Sequence, residues 1–129
     1  MARLSGHCLC GSVRFTISGA VRGALHCHCQ ACRRATSSPL TTFVTVARSD
    51  AEISGDSYRL YASSPGVSRG FCGTCGSPMS YVSDQRPDEI DFYVASLDDA
   101  SSIIIREHGY WGERVSWLNV VDDLPKNEA

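Results

Sequence analysis

The chain carries the stretch Cys72-Gly73-Thr74-Cys75-Gly76, in which a C-x-x-C pair is interleaved with glycines. A turn of this kind brings both thiols to one point, and glycine allows the tight backbone that the turn needs. A second pair lies near the start of the chain, in Cys8-Leu9-Cys10-Gly11. Its cysteines would stand roughly 6.7 Å apart in a straight strand, whereas two sulfurs on one zinc ion lie roughly 3.8 Å apart, so the chain must bend here. Together the pairs supply the four thiolates of a closed structural zinc site, at Cys8, Cys10, Cys72 and Cys75.

The remaining three cysteines form one cluster, Cys27-His28-Cys29-Gln30-Ala31-Cys32. Three protein ligands and a labile fourth position are typical of catalytic zinc, so Cys27, Cys29 and Cys32 indicate a second, exchangeable zinc ion. A histidine could instead close this site, and the candidates are His7, His26, His28 and His108. Cysteines buried in the core, a redox dithiol at the C-x-x-C pair and an iron–sulfur cluster are the other interpretations. The clustering and the division into four and three favour zinc, with up to two ions per chain.

The composition is that of an ordinary globular protein, apart from its cysteines. The chain has 129 residues, 43% of them hydrophobic and 20% charged, with a formal net charge of −2 and seven cysteines. This length suits one domain spanning residues 1–129, and the acidic balance disfavours a nucleic-acid partner. No apolar run approaches the roughly 18 residues of a membrane span, and the N-terminus lacks the apolar stretch of a signal peptide. An odd number of cysteines cannot all pair within the chain, so we expect reduced thiols and a cytoplasmic protein.

The hydrophobic pattern predicts an all-β fold with very little helix. Polar and apolar residues alternate over 12–18 and over 89–94, which predicts half-buried strands that place Val13, Phe15 and Ile17 on one face. Further strands are predicted at 41–46, 58–61, 79–82, 103–105 and 115–120. Short helical turns are predicted at 29–35 and 98–102, and we expect the polar tail over 125–129 to fray.

Three cysteine motifs carry a resemblance to a known family. Gly6-His7-Cys8-Leu9-Cys10-Gly11-Ser12-Val13-Arg14-Phe15 resembles its opening G-x-C-x-C-G-x-V-x-F motif. Cys27-His28-Cys29-Gln30-Ala31-Cys32-Arg33-Arg34 and Arg69-Gly70-Phe71-Cys72-Gly73-Thr74-Cys75-Gly76-Ser77 are similar to its C-H-C-x-x-C-R-R/K and R-x-F-C-x-x-C-G-S motifs. His108, Trp117-Leu118 and Asp122-Asp123-Leu124-Pro125 lie where the family places its H…W-L…D-x-L-P ending. The family is that of the glutathione-dependent formaldehyde-activating enzymes, which includes the centromere protein V group.

The resemblance implies an Mss4-like fold of zinc-stabilised antiparallel sheets, and the same division of zinc ligands into four and three. It also implies formation of S-hydroxymethylglutathione, a carbon–sulfur lyase-type reaction, with glutathione or a similar small thiol and formaldehyde as substrates. The sequence departs from the family pattern at two places. After Arg33 and Arg34 the family usually has a Gly-Ser or Gly-Ala pair, whereas here Ala35-Thr36 leads into Ser37-Ser38. Gly109 replaces an apolar residue after His108. The first departure predicts a changed pocket, and the second a bulge or bend in the strand; both put glutathione specificity in doubt.

Several side chains are candidates for substrate binding and catalysis beside the second zinc. Arg33 and Arg34 could dock carboxylates of an anionic thiol, since guanidinium binds carboxylate bidentately; a solvated charge pair is the equal alternative. Ser37 and Ser38 are candidate pocket hydroxyls, and His108 is a candidate acid/base group because its ordinary pKa lies near neutrality. Loop hydroxyls and a structural histidine are the plainer interpretations.

Two functions of different kinds follow from these residues. The leading hypothesis is a zinc-dependent carbon–sulfur lyase that acts on a small thiol, because a thiolate beside an aldehyde can add to its carbonyl. The alternative is a non-catalytic, zinc-stabilised protein-binding module, which predicts a closed second site. No membrane partner is expected.

Overall fold

A computed structural model describes residues 3–129, in which ten strands form two sheets. The smaller sheet has the order β1-β2-β5, with β1 (Leu4–His7), β2 (Arg14–Ile17) and β5 (Ala51–Ser54). The larger sheet contains β3 (Val21–Cys27), β4 (Thr41–Ala47), β6 (Tyr58–Ser64), β7 (Val67–Cys72), β8 (Pro78–Ser83), β9 (Glu89–Tyr93) and β10 (Glu107–Gly109). Its order is β10-β3-β4-β9-β8-β7-β6, and every pair is antiparallel except β10 with β3, which is parallel.

Helix is scarce, as the pattern predicts. In the described part of the chain, the single α-helix, α1, spans Gln30–Thr36, and turns of 3₁₀ helix lie at Arg48–Asp50, Val94–Ser96, Ala100–Ser102 and Trp111–Glu113. Both predicted helical turns are therefore confirmed, the second as a 3₁₀ turn. The architecture is the all-β, Mss4-like one that the resemblance implies. Over residues 3–129 we find no helix with the length and apolar character needed to cross a bilayer.

The main hydrophobic core lies between the two sheets. Phe15 of β2 stacks on Phe92 of β9, with ring centroids 4.2 Å apart and planes 6° from parallel. Val13 and Ile17 are fully buried beside Phe15, so the predicted period-two face of this strand is confirmed. Burial of these side chains removes apolar surface from water and holds the sheets face to face.

The opposite face of the larger sheet carries a second, smaller apolar cluster. Along β4, Val44 packs in the main core, whereas its neighbour Phe43 packs with Cys27, Cys32 and Tyr93 on the other side. The strand is buried on both faces because side chains alternate across it. The α1 helix begins three residues after β3 ends and so brings Cys32 back onto this face.

Two predicted strands are wrong. Residues 103–105 pair with no other strand in the structure, although Ile103 and Ile105 pack on the main core and Ile104 is exposed. The alternating pattern arises because successive side chains of this segment are partly buried and exposed in turn, although its backbone is not paired in a sheet. Residues 115–120 are irregular and mostly exposed, and Trp117 is 73% exposed. The backbone of this segment does not pair with any strand of residues 3–129, although the segment contains apolar side chains.

The C-terminal tail does not fray. His108 of β10 donates its backbone N–H to the Pro125 carbonyl, and Asn127 donates back to the His108 carbonyl. Trp111 donates its backbone N–H to Asn127 as well. The expectation of a frayed tail is wrong because these hydrogen bonds extend the sheet edge at β10.

Candidate metal centres and the adjoining cleft

Four cysteine sulfurs from opposite ends of the sheet region meet at one point. Cys8 and Cys10 follow β1, Cys72 ends β7 and Cys75 follows it, and their sulfurs all lie within 4.8 Å of one another. The Cys8 and Cys10 sulfurs are 3.6 Å apart, and those of Cys10 and Cys72 are 3.8 Å apart. These spacings match two sulfurs on one tetrahedral metal ion, roughly 3.8 Å.

Glycines in the left-handed region make both bends. Gly11 and Gly76 each have φ +81°, a conformation that a side chain disfavours. Gly11 donates its N–H to the Cys8 carbonyl, and Gly76 donates to the Cys72 carbonyl, so each turn closes around its cysteine pair. The bend predicted at the first pair is confirmed.

Hydrogen-bond donors of the chain point at these sulfurs. The amides of Thr74 and Cys75 both donate to the Cys72 sulfur at 3.4 Å. Ser77 accepts from the Leu9 amide and donates its hydroxyl to Cys75, 3.2 Å away. Hydrogen bonds from Ser77 lower the pKa of Cys75 to about 5. Donors of this kind favour thiolates, the form that binds metal.

The other three cysteines form a separate cluster on the second apolar face. Cys27 ends β3, Cys29 is the N-cap of α1, and Cys32 lies in the first turn of that helix. The Cys29 sulfur accepts the Cys32 amide at 3.2 Å, which caps the helix and folds the two thiols together. The sulfurs of Cys27 and Cys32 are 3.7 Å apart, and all three lie within 4.8 Å of one another. Three thiols at this spacing could hold a metal ion.

Arg69 of β7 faces the three-thiol cluster. Both terminal guanidinium nitrogens lie 3.7 Å from the Cys32 sulfur, and Nε donates to the Ser63 hydroxyl at 3.2 Å. The guanidinium also lies over the Tyr81 ring, 5.0 Å from its centroid. Hydrogen bonds from the Cys27 and Cys29 thiols, together with Arg69, hold the pKa of Cys32 far below its ordinary value. Sequence reasoning missed this role, and the only signal for it was the place of Arg69 in the third motif.

A cleft of about 650 Å³ opens over the three thiols. Its walls include the aromatic side chains Phe43, Tyr81 and Tyr110, and Arg69 lies beside the thiols. Arg86 also lines the cleft, but its guanidinium is paired with Asp91 at 2.7 Å. Within residues 3–129, Arg69 forms no ion pair with a carboxylate, so its charge faces the thiols and the cleft.

The side chains predicted to bind substrate lie elsewhere. Arg33 donates to the backbone carbonyls of His28 and Glu113, and Arg34 is exposed on α1. Ser38 is bonded to the Thr36 hydroxyl and the Leu40 carbonyl. None of Arg33, Arg34, Ser37 or Ser38 is among the residues that line the cleft.

The two positions at which the sequence departs from the family pattern, Ser37 and Gly109, lie at the end of α1 and at the end of β10. Ser37 ends α1 with φ 54°, the left-handed conformation in which a helix commonly places glycine. Gly109 stays in regular register with Cys27, and the chain turns one residue later, at Tyr110 with φ 54°. The predicted distortion thus falls just past β10 rather than within it.

Each histidine has a partner away from the three thiols. His7 contacts the Cys8 carbonyl and Asp98, and His26 contacts the Thr42 hydroxyl at 2.8 Å. His28 Nε2 and His108 Nδ1 are 2.8 Å apart. His108 is fully buried, and its other nitrogen, Nε2, lies 2.8 Å from a carboxylate oxygen of Asp122. The three-thiol group of the described residues therefore includes no histidine nitrogen.

A buried hydroxyl beside the three thiols lacks a partner. Thr41 stands directly opposite Cys27 in the β3–β4 ladder, so the two side chains share one face. Its Oγ1 has no hydrogen-bond partner among residues 3–129. Thr41 lines a separate cavity rather than the cleft over the thiols, so the fit to a metal ion rests on the three sulfurs. Soft thiolates are also the donors that zinc prefers, and the residues present fit that ion.

The comparisons with known proteins agree with this geometry. The family model described as "Glutathione-dependent formaldehyde-activating enzyme" matches residues 3–113. The chain belongs to this family. A crystal structure of a Rhodobacter sphaeroides protein is also similar, with a TM-score of 0.61 and 26% sequence identity. The similarity covers 73% of this chain and 87% of that one. Among curated proteins, the search found no match. The range that matches the glutathione-dependent formaldehyde-activating family includes all seven cysteines, and so both thiol clusters.

Proposed function

We propose that this protein is a zinc-dependent carbon–sulfur lyase-type enzyme that joins a small thiol, glutathione, to formaldehyde to give S-hydroxymethylglutathione. Cys8, Cys10, Cys72 and Cys75 hold a structural zinc ion in this proposal. Cys27, Cys29 and Cys32 hold a second, exchangeable one. Seven free thiols fit a reducing compartment, and we place the protein in the cytoplasm.

One observation carries the proposal: three thiols line an open cleft beside a guanidinium that forms no ion pair with a carboxylate of residues 3–129. The four-thiol set has the number of ligands that closes a structural zinc site, whereas three leave a coordination position for a substrate. A purely structural zinc site would need neither that position nor the arginine.

The zinc ion would supply an open coordination position and stabilise a bound thiol as its thiolate. In the reaction, the substrate sulfur loses its proton and adds to the carbonyl carbon of formaldehyde. The C=O electron pair moves to oxygen, which takes up a proton to give the hydroxymethyl group. The reverse reaction breaks the same carbon–sulfur bond.

Arg69 compensates the negative charge that collects at the thiols. Three thiolates carry three negative charges against the two positive charges of zinc, so one negative charge remains for the guanidinium. Because Arg69 contacts Cys32 with both terminal nitrogens, it stays in place as a substrate thiolate approaches. The geometry favours Arg69 for anchoring an anionic thiol, since Arg69 lines the cleft over the three thiols and Arg33 is not among the residues that line it.

Aromatic rings pack beside the three thiols, and two of them, Phe43 and Tyr81, also line the cleft. Phe43 packs against Tyr93 with ring centroids 4.6 Å apart, and Tyr81 lies 6.1 Å from Phe43. Burial raises the pKa of Tyr93 to about 12, so its phenol stays protonated. These rings exclude water from one side of the thiols, which strengthens the charge interactions there.

The test follows exchange between glutathione and its hydroxymethyl adduct by NMR with ¹³C-labelled formaldehyde. We expect the zinc-loaded protein to accelerate the exchange, and Cys29→Ser to return it to the uncatalysed rate. Leu9→Ala, an exposed change between two structural ligands, serves as the matched control and keeps full activity. If the wild-type protein binds two zinc ions and leaves the exchange rate unchanged, the proposal is wrong.

A further inference from the structure

A chain of side-chain hydrogen bonds links the C-terminal segment to the three-thiol cluster. Asp122 Oδ2 lies 2.8 Å from His108 Nε2, and His108 Nδ1 lies 2.8 Å from His28 Nε2. His108 is fully buried and His28 is 2% exposed. The Trp111 ring packs at 80° to the His28 ring and at 70° to the His108 ring, with centroids 5.1 Å and 5.0 Å away.

The Asp122 carboxylate, at the end of this series of hydrogen bonds, decides which His108 nitrogen carries a hydrogen. An ionised carboxylate can only accept, so His108 Nε2 carries a hydrogen. One hydrogen lies between His108 Nδ1 and His28 Nε2, so one of these two nitrogens donates it and the other accepts it. The carboxylate of Asp122 thereby fixes the orientation of two imidazole rings in succession.

Asp122 is itself held in place. Its Oδ1 accepts the Leu124 amide at 3.1 Å and the Lys126 ammonium at 3.2 Å. The His108 contact lowers the pKa of Asp122 to about 2, so the carboxylate is ionised at neutral pH. Other groups near the two imidazoles are the His26 ring, 5.0 Å from that of His108, Arg33, whose Nε donates to the His28 carbonyl, and Arg114, whose guanidinium lies over the Trp111 ring.

His28 stands between two of the three thiols. Its neighbours in the chain are Cys27 and Cys29, and its backbone N–H donates to the Gly109 carbonyl at 3.0 Å. A ring fixed through His108 and a backbone fixed to β10 leave this loop little freedom. Asp122, which contacts His28 through His108, lies about ninety positions away in the chain, beyond the range that the family model matches.

We propose that Asp122 is a positioning residue for the second metal site, acting through His108 on His28 and so on the Cys27–Cys29 loop. This inference rests on the metal site of the proposed function. Partners that orient the surroundings of metal ligands in this way are typically worth ten- to a hundredfold in metal affinity.

The test compares Asp122→Ala with Asp123→Ala, a neighbouring exposed carboxylate outside the chain of bonds. Zinc is titrated against a chromophoric chelator, and the occupancy of each site is read separately from the tight and the weak step. We expect Asp122→Ala to weaken the weak step at least tenfold and to leave the tight step unchanged, while Asp123→Ala leaves both unchanged. Equal weak-step affinity in the wild type and Asp122→Ala would overturn the proposal.

Two further measurements separate positioning from general stability. Asp122→Asn keeps an acceptor oxygen, so we expect it to fold and to lie between the alanine variant and the wild type in weak-step affinity. Imidazole ¹⁵N shifts should show His108 protonated at Nε2 in the wild type and altered in Asp122→Ala. Loss of both steps in parallel in Asp122→Asn would mean a structural role only and contradict the proposal. A wild type that lacks the weak step would instead refute the proposed function.

Discussion

The guanidinium of Arg69 lies 3.7 Å from the thiol sulfur of Cys32 through both of its terminal nitrogens. These residues stand on different elements, β7 and α1, and meet at the edge of the cleft. The contact places a permanent positive charge beside the cluster that the proposed chemistry uses.

We expect Arg69→Gln to weaken glutathione binding to the zinc-loaded protein by tenfold or more, because a charge-assisted contact is worth about 1.5–3 kcal/mol. The glutathione affinity of Arg69→Lys should lie between those of the wild type and Arg69→Gln, since lysine keeps the charge but not the paired nitrogens. Isothermal titration with glutathione measures the effect. Arg34→Gln tests the role predicted for the exposed arginine, and we expect no change there. If Arg34→Gln weakened glutathione binding and Arg69→Gln did not, the substrate would dock on α1 instead.

The two clusters should respond differently to loss of one sulfur. Cys75→Ser removes a ligand from the clamp that joins β1 to β7, and we expect it to lower the free energy of unfolding by at least about 3 kcal/mol, because structural zinc contributes directly to folding. Cys29→Ser should cost about 1 kcal/mol or less and lose one zinc ion. Urea unfolding followed by circular dichroism, with metal analysis, makes the comparison. Equal losses in the two variants would refute the division of roles.

Ser37→Gly should stabilise the protein by about 1 kcal/mol, because Ser37 has φ 54° and glycine adopts that region without a steric penalty. Ser38→Gly is the matched control. It loses the hydrogen bonds to Thr36 and Leu40 and should destabilise the protein. Thermal unfolding of the two variants gives the sign, and a loss of stability in Ser37→Gly would contradict this account of the helix end.

Burial should keep His28 uncharged across the physiological range, because it lowers the pKa of this imidazole to about 4. An unfolded histidine takes up its proton near pH 6.5, so the folded state is disfavoured progressively as the pH falls from about 6.5 toward 4. We expect the imidazole signal of His28, assigned with His28→Gln, to stay unshifted between pH 8 and pH 5.5. A midpoint near 6.5 would show that the ring is solvated.

The sequence predicts the cysteine turns well because the geometry of each turn is local. A C-x-x-C turn and a C-x-C bend need only neighbouring glycines, and both turns close as predicted at Gly11 and Gly76. The strands over 12–18 and 41–46 are equally local, because alternation and β-branching show on their own residues. Spacing thus predicted the two thiol clusters.

Contacts between distant elements could not be predicted in this way. Arg69 and Cys32 meet only because β7, β8, β9 and β4 lie side by side, an order that no local pattern encodes. The parallel pairing of β10 with β3 brings His108 beside His28, whereas the pattern at 103–105 favoured a strand a few residues too early. Long-range pairing decided both outcomes.

In the proposed function, Cys27, Cys29 and Cys32 leave one coordination position of zinc for a substrate sulfur. Zinc K-edge X-ray absorption of the protein with both sites filled measures the sulfur ligands directly, before and after glutathione is added. We predict that the mean number of sulfurs per zinc rises on addition, and that Cys29→Ser abolishes the rise. A sulfur count that does not change with saturating glutathione would contradict the account.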